Sequence, residues 1–154
     1  MGQPVRRKMI YDDGGIKLTI GQSFQEYVKE KLFEYLKWSI TYYETEEGQY
    51  TKGESEQGIE VKKDQKFRGT GNLFIETYEK RHADNEQWIP SGINRKDNSF
   101  LYLIGDKETL YLFCKKQLKG LQHRYIHKRT GTSKGFLLPI AEAKIWAIKR
   151  IEIK

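Results

Sequence analysis

Apolar positions recur along this chain in two rhythms, one at helical and one at strand spacing. Phe24, Tyr27, Val28, Leu32, Tyr35 and Leu36 follow three- and four-residue steps, which predicts a helix over 22–38. Ser23, with Glu26 three residues on, has the form of a capping box at its start. Residues 1–21 are polar and glycine-containing and read as an arm or short strand before that helix. After the helix, β-formers dominate 39–44, and Ile59 and Val61 alternate with Glu60, Lys62 and Asp64, predicting strands over 39–44 and 58–64.

An acidic, glycine-broken loop fills 46–57 between them. Gly69-Thr70-Gly71 reads as a turn into a strand over 72–79. A long polar connection, 81–98, holds Ser91-Gly92-Ile93. Two further strands follow at 99–105 and 109–114, then a basic helix over 115–124, a loop over 127–135 and a final helix over 141–151. The order predicts a single α/β (α+β) domain over 1–154, with a mixed central sheet and flanking helices. Residues 58–64 and 72–79 are expected as adjacent antiparallel strands.

Composition narrows the class. The chain has 154 residues and one cysteine, Cys114, so an internal disulfide is excluded, and Cys114 reads as a small core residue. No apolar run approaches the roughly 18 residues that span a bilayer. Arg6, Arg7 and Lys8 precede no apolar stretch, so the N-terminus does not read as a signal peptide, and a cytoplasmic protein is expected. Lys and Arg number 28 against 21 acids, a formal charge of +7, which favours a polyanionic partner. Ten tyrosines and three tryptophans add rings suited to cores and to nucleotides.

The segment Glu60-Val61-Lys62-Lys63-Asp64, followed by Asn72-Leu73-Phe74-Ile75-Glu76-Thr77-Tyr78, carries the candidate chemistry. On a hairpin, Asp64 and Glu76 come to one end of adjacent strands. Two carboxylates beside a lysine suit a hard divalent cation and a phosphodiester: Mg²⁺, or Mn²⁺ in its place, takes oxygen ligands and activates water. Charges alternating with Ile and Val are also the ordinary outer face of a half-exposed strand. Glu76, however, follows Leu73-Phe74-Ile75, a setting in which a charge needs a partner.

A helix, a strand meander carrying Asp64 and then Thr70-Gly71-Asn72-Leu73-Phe74-Ile75-Glu76, and later Ser91-Gly92-Ile93, resembles the PD-(D/E)XK (restriction-endonuclease-like) nuclease superfamily over roughly residues 22–124. The resemblance implies Mg²⁺-dependent hydrolysis of DNA in a bacterial or phage-infected host cell, with Asp64 and Glu76 on the metal and Glu26, or Glu30, of the first helix lending an acid. The family's lysine falls at Tyr78, so Lys62 or Lys80 is expected to supply the amine. A second register takes Glu46 as the acid and Glu60-x-Lys62 as an intact glutamate–lysine pair.

For DNA contact, the basic positions Lys115, Lys116, Lys119, Arg124, Lys128, Arg129 and Lys134 stand out, with Arg95 beside Ser91-Gly92. His82, His123 and His127 lack metal-ligand spacing. The sequence is compatible with a homodimer and demands none. Two classes remain: a Mg²⁺-dependent endonuclease or DNA-processing nuclease, and an inactive nuclease-fold or other basic nucleic-acid-binding protein.

Overall fold

A computed structural model describes residues 13–84 and 87–154, the first ten of these by backbone alone. The chain divides into two compact units at Ser39/Ile40. The first contributes α1, Asp13–Leu36. It starts well before the expected boundary, so Ser23 lies inside the helix and is not its cap. Once a helix is nucleated, each further residue adds a hydrogen bond, which is enough to carry helix through 13–21. The part of the expected arm in 1–12 lies outside the described residues. Phe24, Val28 and Leu32 form the apolar stripe of α1, and Lys31 pairs with Glu34 at 3.2 Å.

The second unit contains α2 (Glu46–Thr51), β1 (Ile59–Lys63), α3 (Phe67–Thr70), β2 (Asn72–Glu79), β3 (Ile89–Pro90), β4 (Leu101–Gly105), β5 (Thr109–Cys114), α4 (Lys115–Leu121), β6 (His127–Thr130), β7 (Ser133–Pro139), α5 (Ile140–Trp146) and β8 (Lys149–Glu152). The fold is mixed α and β, as expected, but its strands form two four-stranded sheets in place of one central sheet. Their orders are β1-β4-β5-β8 and β3-β2-β7-β6.

The expected β1–β2 hairpin does not form. β1 pairs in parallel with β4, Glu60 opposite Tyr102 and Lys62 opposite Ile104, while β2 pairs antiparallel with β3 and β7. The cause lies in the connection. Asp64 accepts hydrogen bonds from the backbone N–H groups of Lys66 (2.9 Å) and Phe67 (3.1 Å), which starts α3, and from Phe74 N–H (2.9 Å). Gly71 ends α3 at φ 80°, a left-handed helix cap that favours glycine. The short helix turns the chain into the other sheet.

Other differences have local causes. Residues 39–44 make only an isolated bridge, Tyr42 to Ser55, and the expected acidic loop contains α2, capped by Thr45. The loop expected over 127–135 is the β6–β7 hairpin, with Gly131 at φ 57° at its tip. The last helix stops at Trp146, and Lys149–Glu152 joins β5 instead.

The two sheets share one core. Leu73, Ile75, Phe136 and Leu138 of β2 and β7 pack in the same buried cluster as Tyr102, Ile104, Tyr111 and Phe113 of β4 and β5. Each such side chain contributes about 1.5–3 kcal/mol on burial. No helix among the described residues is long and apolar enough to cross a membrane.

Candidate functional site

Strand alternation puts Glu60 and Lys62 on one face of β1, beside Tyr102 and Ile104 of β4. Glu76 reaches the same place from the other sheet, next to a bulge between Glu76 and Tyr78. Lys62 Nζ lies 3.5 Å from Glu60 Oε2 and 3.7 Å from Glu76 Oε1. Two hydroxyls fix the Glu76 carboxylate: Ser91 Oγ donates to Oε1 at 2.7 Å, and Ser133 Oγ of β7 donates to Oε2. The backbone of Gly92, at φ 53°, lies directly against the Glu76 carbonyl, where a Cβ would collide.

The cluster continues inward. Lys115 Nζ stands 3.5 Å from Glu60 Oε1 and 3.0 Å from Asp97 Oδ1, and donates to the Arg95 carbonyl at 3.1 Å. Arg95 Nε lies 3.3 Å from Asp97 Oδ2, and its Nη2 donates to Gln49 O at 2.6 Å. Three carboxylates therefore meet three cations, which offsets the desolvation cost of burying them. Side-chain exposure falls from 35% at Lys62 through 18% at Glu76 to 4% at Glu60 and zero at Asp97. The cluster thus opens to solvent at Lys62 and Glu76.

Burial disfavours the charged form of Lys62, but the carboxylates of Glu60 and Glu76 outweigh it and hold its pKa well above the ordinary lysine value. Lys62 therefore carries its positive charge at neutral pH. Burial pushes the Tyr102 phenol well up, with the same two carboxylates adding to it. Glu79, at the end of β2, is raised by burial and by the charge of Glu76.

The expected site is thus partly assembled. Glu60, Lys62 and Glu76 converge. Asp64 does not join them: all three of its hydrogen bonds go to backbone N–H groups, a structural role. Tyr78 and Lys80 lie past the bulge, and Lys80 Nζ stands over the Trp88 ring at 4.6 Å. Glu46 heads α2 and is exposed. Glu26 and Glu30 are exposed on α1, in the other unit. Among the described residues, no group of three His, Cys, Asp or Glu side chains is arranged to hold a metal ion.

The basic positions divide. Lys115, expected as a DNA contact, is buried and ion-paired, because it opens α4 directly beneath Glu60. Arg95 is engaged with Asp97, Gln49 and the Tyr50 ring. Lys116, Lys119, Arg124, Lys128 and Arg129 are exposed, and Lys134 is half-buried. His127 Nε2 donates to Gln122 O at 2.6 Å; His82 and His123 are exposed.

Sequence reasoning missed Asp97, Tyr102 and Ser133. Asp97 lies in an unpatterned polar connection, and Ser133 meets Glu76 only through the β2–β7 pairing. No family model, curated protein or solved structure matches this chain.

Proposed function

We propose that the protein is a Mg²⁺-dependent nuclease, distantly restriction-endonuclease-like, with its reactive centre at Glu60, Lys62 and Glu76. The observation that carries this reading is the convergence of two carboxylates from different sheets on one half-exposed lysine. Glu60-x-Lys62 has the acid-x-lysine spacing of the second register, with Glu76 taking the place expected for Glu46.

The donor set is all oxygen, the ligand type that Mg²⁺ takes, and Glu60 Oε2 and Glu76 Oε1 both flank the half-exposed Lys62. Mg²⁺ is commonly held by one or two carboxylates plus waters and phosphate oxygens. Held by Glu60 and Glu76, it would supply charge stabilisation at phosphorus and a bound water of lowered pKa. The chain's own contribution is orientation. Ser91 and Ser133 hold the Glu76 carboxylate in one pose, Lys115 neutralises the inner side of Glu60, and Lys62 offers a fixed positive charge to a phosphate oxygen. Ser133 also ties the centre to the basic β6–β7 hairpin, which supports a nucleic-acid substrate.

The balanced ion cluster favours a second reading, a nucleic-acid-binding protein without hydrolytic activity, since Lys62 and Lys115 together already neutralise Glu60 and Glu76. Incubating plasmid and single-stranded DNA with pure protein separates the two. The nuclease reading expects cleavage with Mg²⁺, none with chelator, and none from Glu76→Gln. Absence of Mg²⁺-dependent cleavage on every DNA form leaves the binding reading.

A further inference from the structure

Beyond the ionic centre, a cleft of about 380 Å³ is lined by Thr77, Tyr78, His127, Lys128, Arg129 and Lys134. That volume is within the ~300–1,000 Å³ of small-ligand clefts. Two of its cations share one aromatic ring with Lys80, which lies outside the lining. Lys134 Nζ, Lys80 Nζ and the Arg129 guanidinium stand 4.4, 4.6 and 5.1 Å from the centroid of one indole, Trp88. Among the described residues, neither these three nor Lys128 forms an ion pair with a carboxylate. The ring's negative face offers each cation some attraction, yet it cannot cancel their mutual repulsion. The result is a preassembled positive charge awaiting an anion. Tyr78, 37% exposed, adds an aromatic surface to the same cleft.

We propose that this cleft binds an unpaired nucleotide of a nucleic-acid strand, Tyr78 stacking on the base while Lys128, Arg129 and Lys134 hold the flanking phosphates. Trp88 acts as a positioning residue, gathering the cations. A duplex offers phosphates but keeps its bases stacked inside, so it cannot use Tyr78 without the cost of extruding a base. A single strand uses both chemistries, because every base has a π-face. The ion centre lies close by in the chain, since Lys134 follows Ser133. The proposal rests on the nucleic-acid part of the reading above and makes its substrate a single-stranded or flapped end.

The test is fluorescence anisotropy with labelled dT12, rU12 and a blunt 12-base-pair duplex, all in chelator, so that binding is read without hydrolysis. The wild-type protein is expected to bind a single strand more tightly than the duplex, and the tighter of dT12 and rU12 names the sugar. Tyr78→Ser should weaken single-strand binding roughly tenfold or more while leaving the duplex little changed. Tyr78→Phe should bind single strands more tightly than Tyr78→Ser. Trp88→Leu should weaken both ligands by loosening the cations, and Lys128→Ala, on an exposed strand, covers the case in which an aromatic variant misfolds. Lys144→Ala on α5 serves as the charge control. Duplex binding equal to or tighter than single-strand binding overturns the proposal, as does a Tyr78→Ser protein that is folded and binds dT12 and rU12 like wild type. Failure of the nuclease reading shows instead as missing cleavage with these affinities intact.

Discussion

Lys62 Nζ lies 3.7 Å from Glu76 Oε1, although the two residues belong to different sheets. Lys62→Met should reduce Mg²⁺-dependent cleavage by about 10²–10³-fold, the loss typical of one preorganised electrostatic group. Its stability profile should change at alkaline pH. The folded-state pKa of Lys62 is raised above 10.5, so its stabilisation is fully present below that pH and is lost as pH rises through the folded value. Denaturant titrations from pH 7 to 12 should therefore show a shallower alkaline decline in Lys62→Met. An identical decline contradicts the ion-pair assignment.

Asp64 is expected to behave as a structural residue. Asp64→Ala removes three acceptor contacts to backbone N–H groups at the start of α3 and in β2. A cost of about 1–3 kcal/mol is expected in chemical unfolding. Per folded molecule, cleavage should stay near wild type. Complete loss of cleavage with unchanged stability would return Asp64 to the reactive centre.

Glu79 reports on Glu76. Its pKa is raised from 4.5 by burial and by the Glu76 charge, so the folded state binds its proton more tightly than the unfolded chain does. Glu79 therefore makes stability fall as pH climbs above about 4.5. Glu79→Gln should be more stable than wild type at pH 7, with the difference vanishing below pH 4.5. A thermal-melting series across that range checks the sign.

Gly92→Ala tests the support beneath Glu76. Glycine is favoured at φ 53°, and an added Cβ meets the Glu76 carbonyl. A destabilisation of at least about 1–2 kcal/mol is expected from the left-handed backbone, with cleavage falling further as Glu76 shifts. Wild-type melting and rate would show that this contact is slack.

Lys128, Arg129 and Lys134 should set the salt dependence of binding. Replacing all three with alanine should lower the log–log salt slope on single strands by about 2, at ~0.7 per phosphate contact. An unchanged slope makes the hairpin an ordinary solvated surface.

Among the described elements, four of the eight strands (β1, β2, β4 and β5) and three of the five helices (α1, α4 and α5) could be read from the chain, because period-two and three-to-four-residue patterns record which side chains face a core. Glu60 and Lys62 on one face, and Glu76 as a charge needing a partner, follow from such local rules. Strand partners do not. A strand's alternation says which face is apolar but not which edge it pairs along, so β1 beside β4 is as compatible with the pattern as β1 beside β2.

Tertiary structure alone decided what became of the charges. Asp64 and Glu76 are both strand acids in sequence. Backbone N–H groups capture Asp64 because α3 begins immediately after it, whereas Glu76 meets Lys62 and two serines only once the sheets share a core. Lys115 reads as a surface cation in a basic run, yet Glu60 and Asp97 take it inside, since a buried carboxylate requires a cation from whatever element the fold brings near. The sequence by itself determined which residues carry charge and which faces are apolar; long-range pairing decided which charges meet.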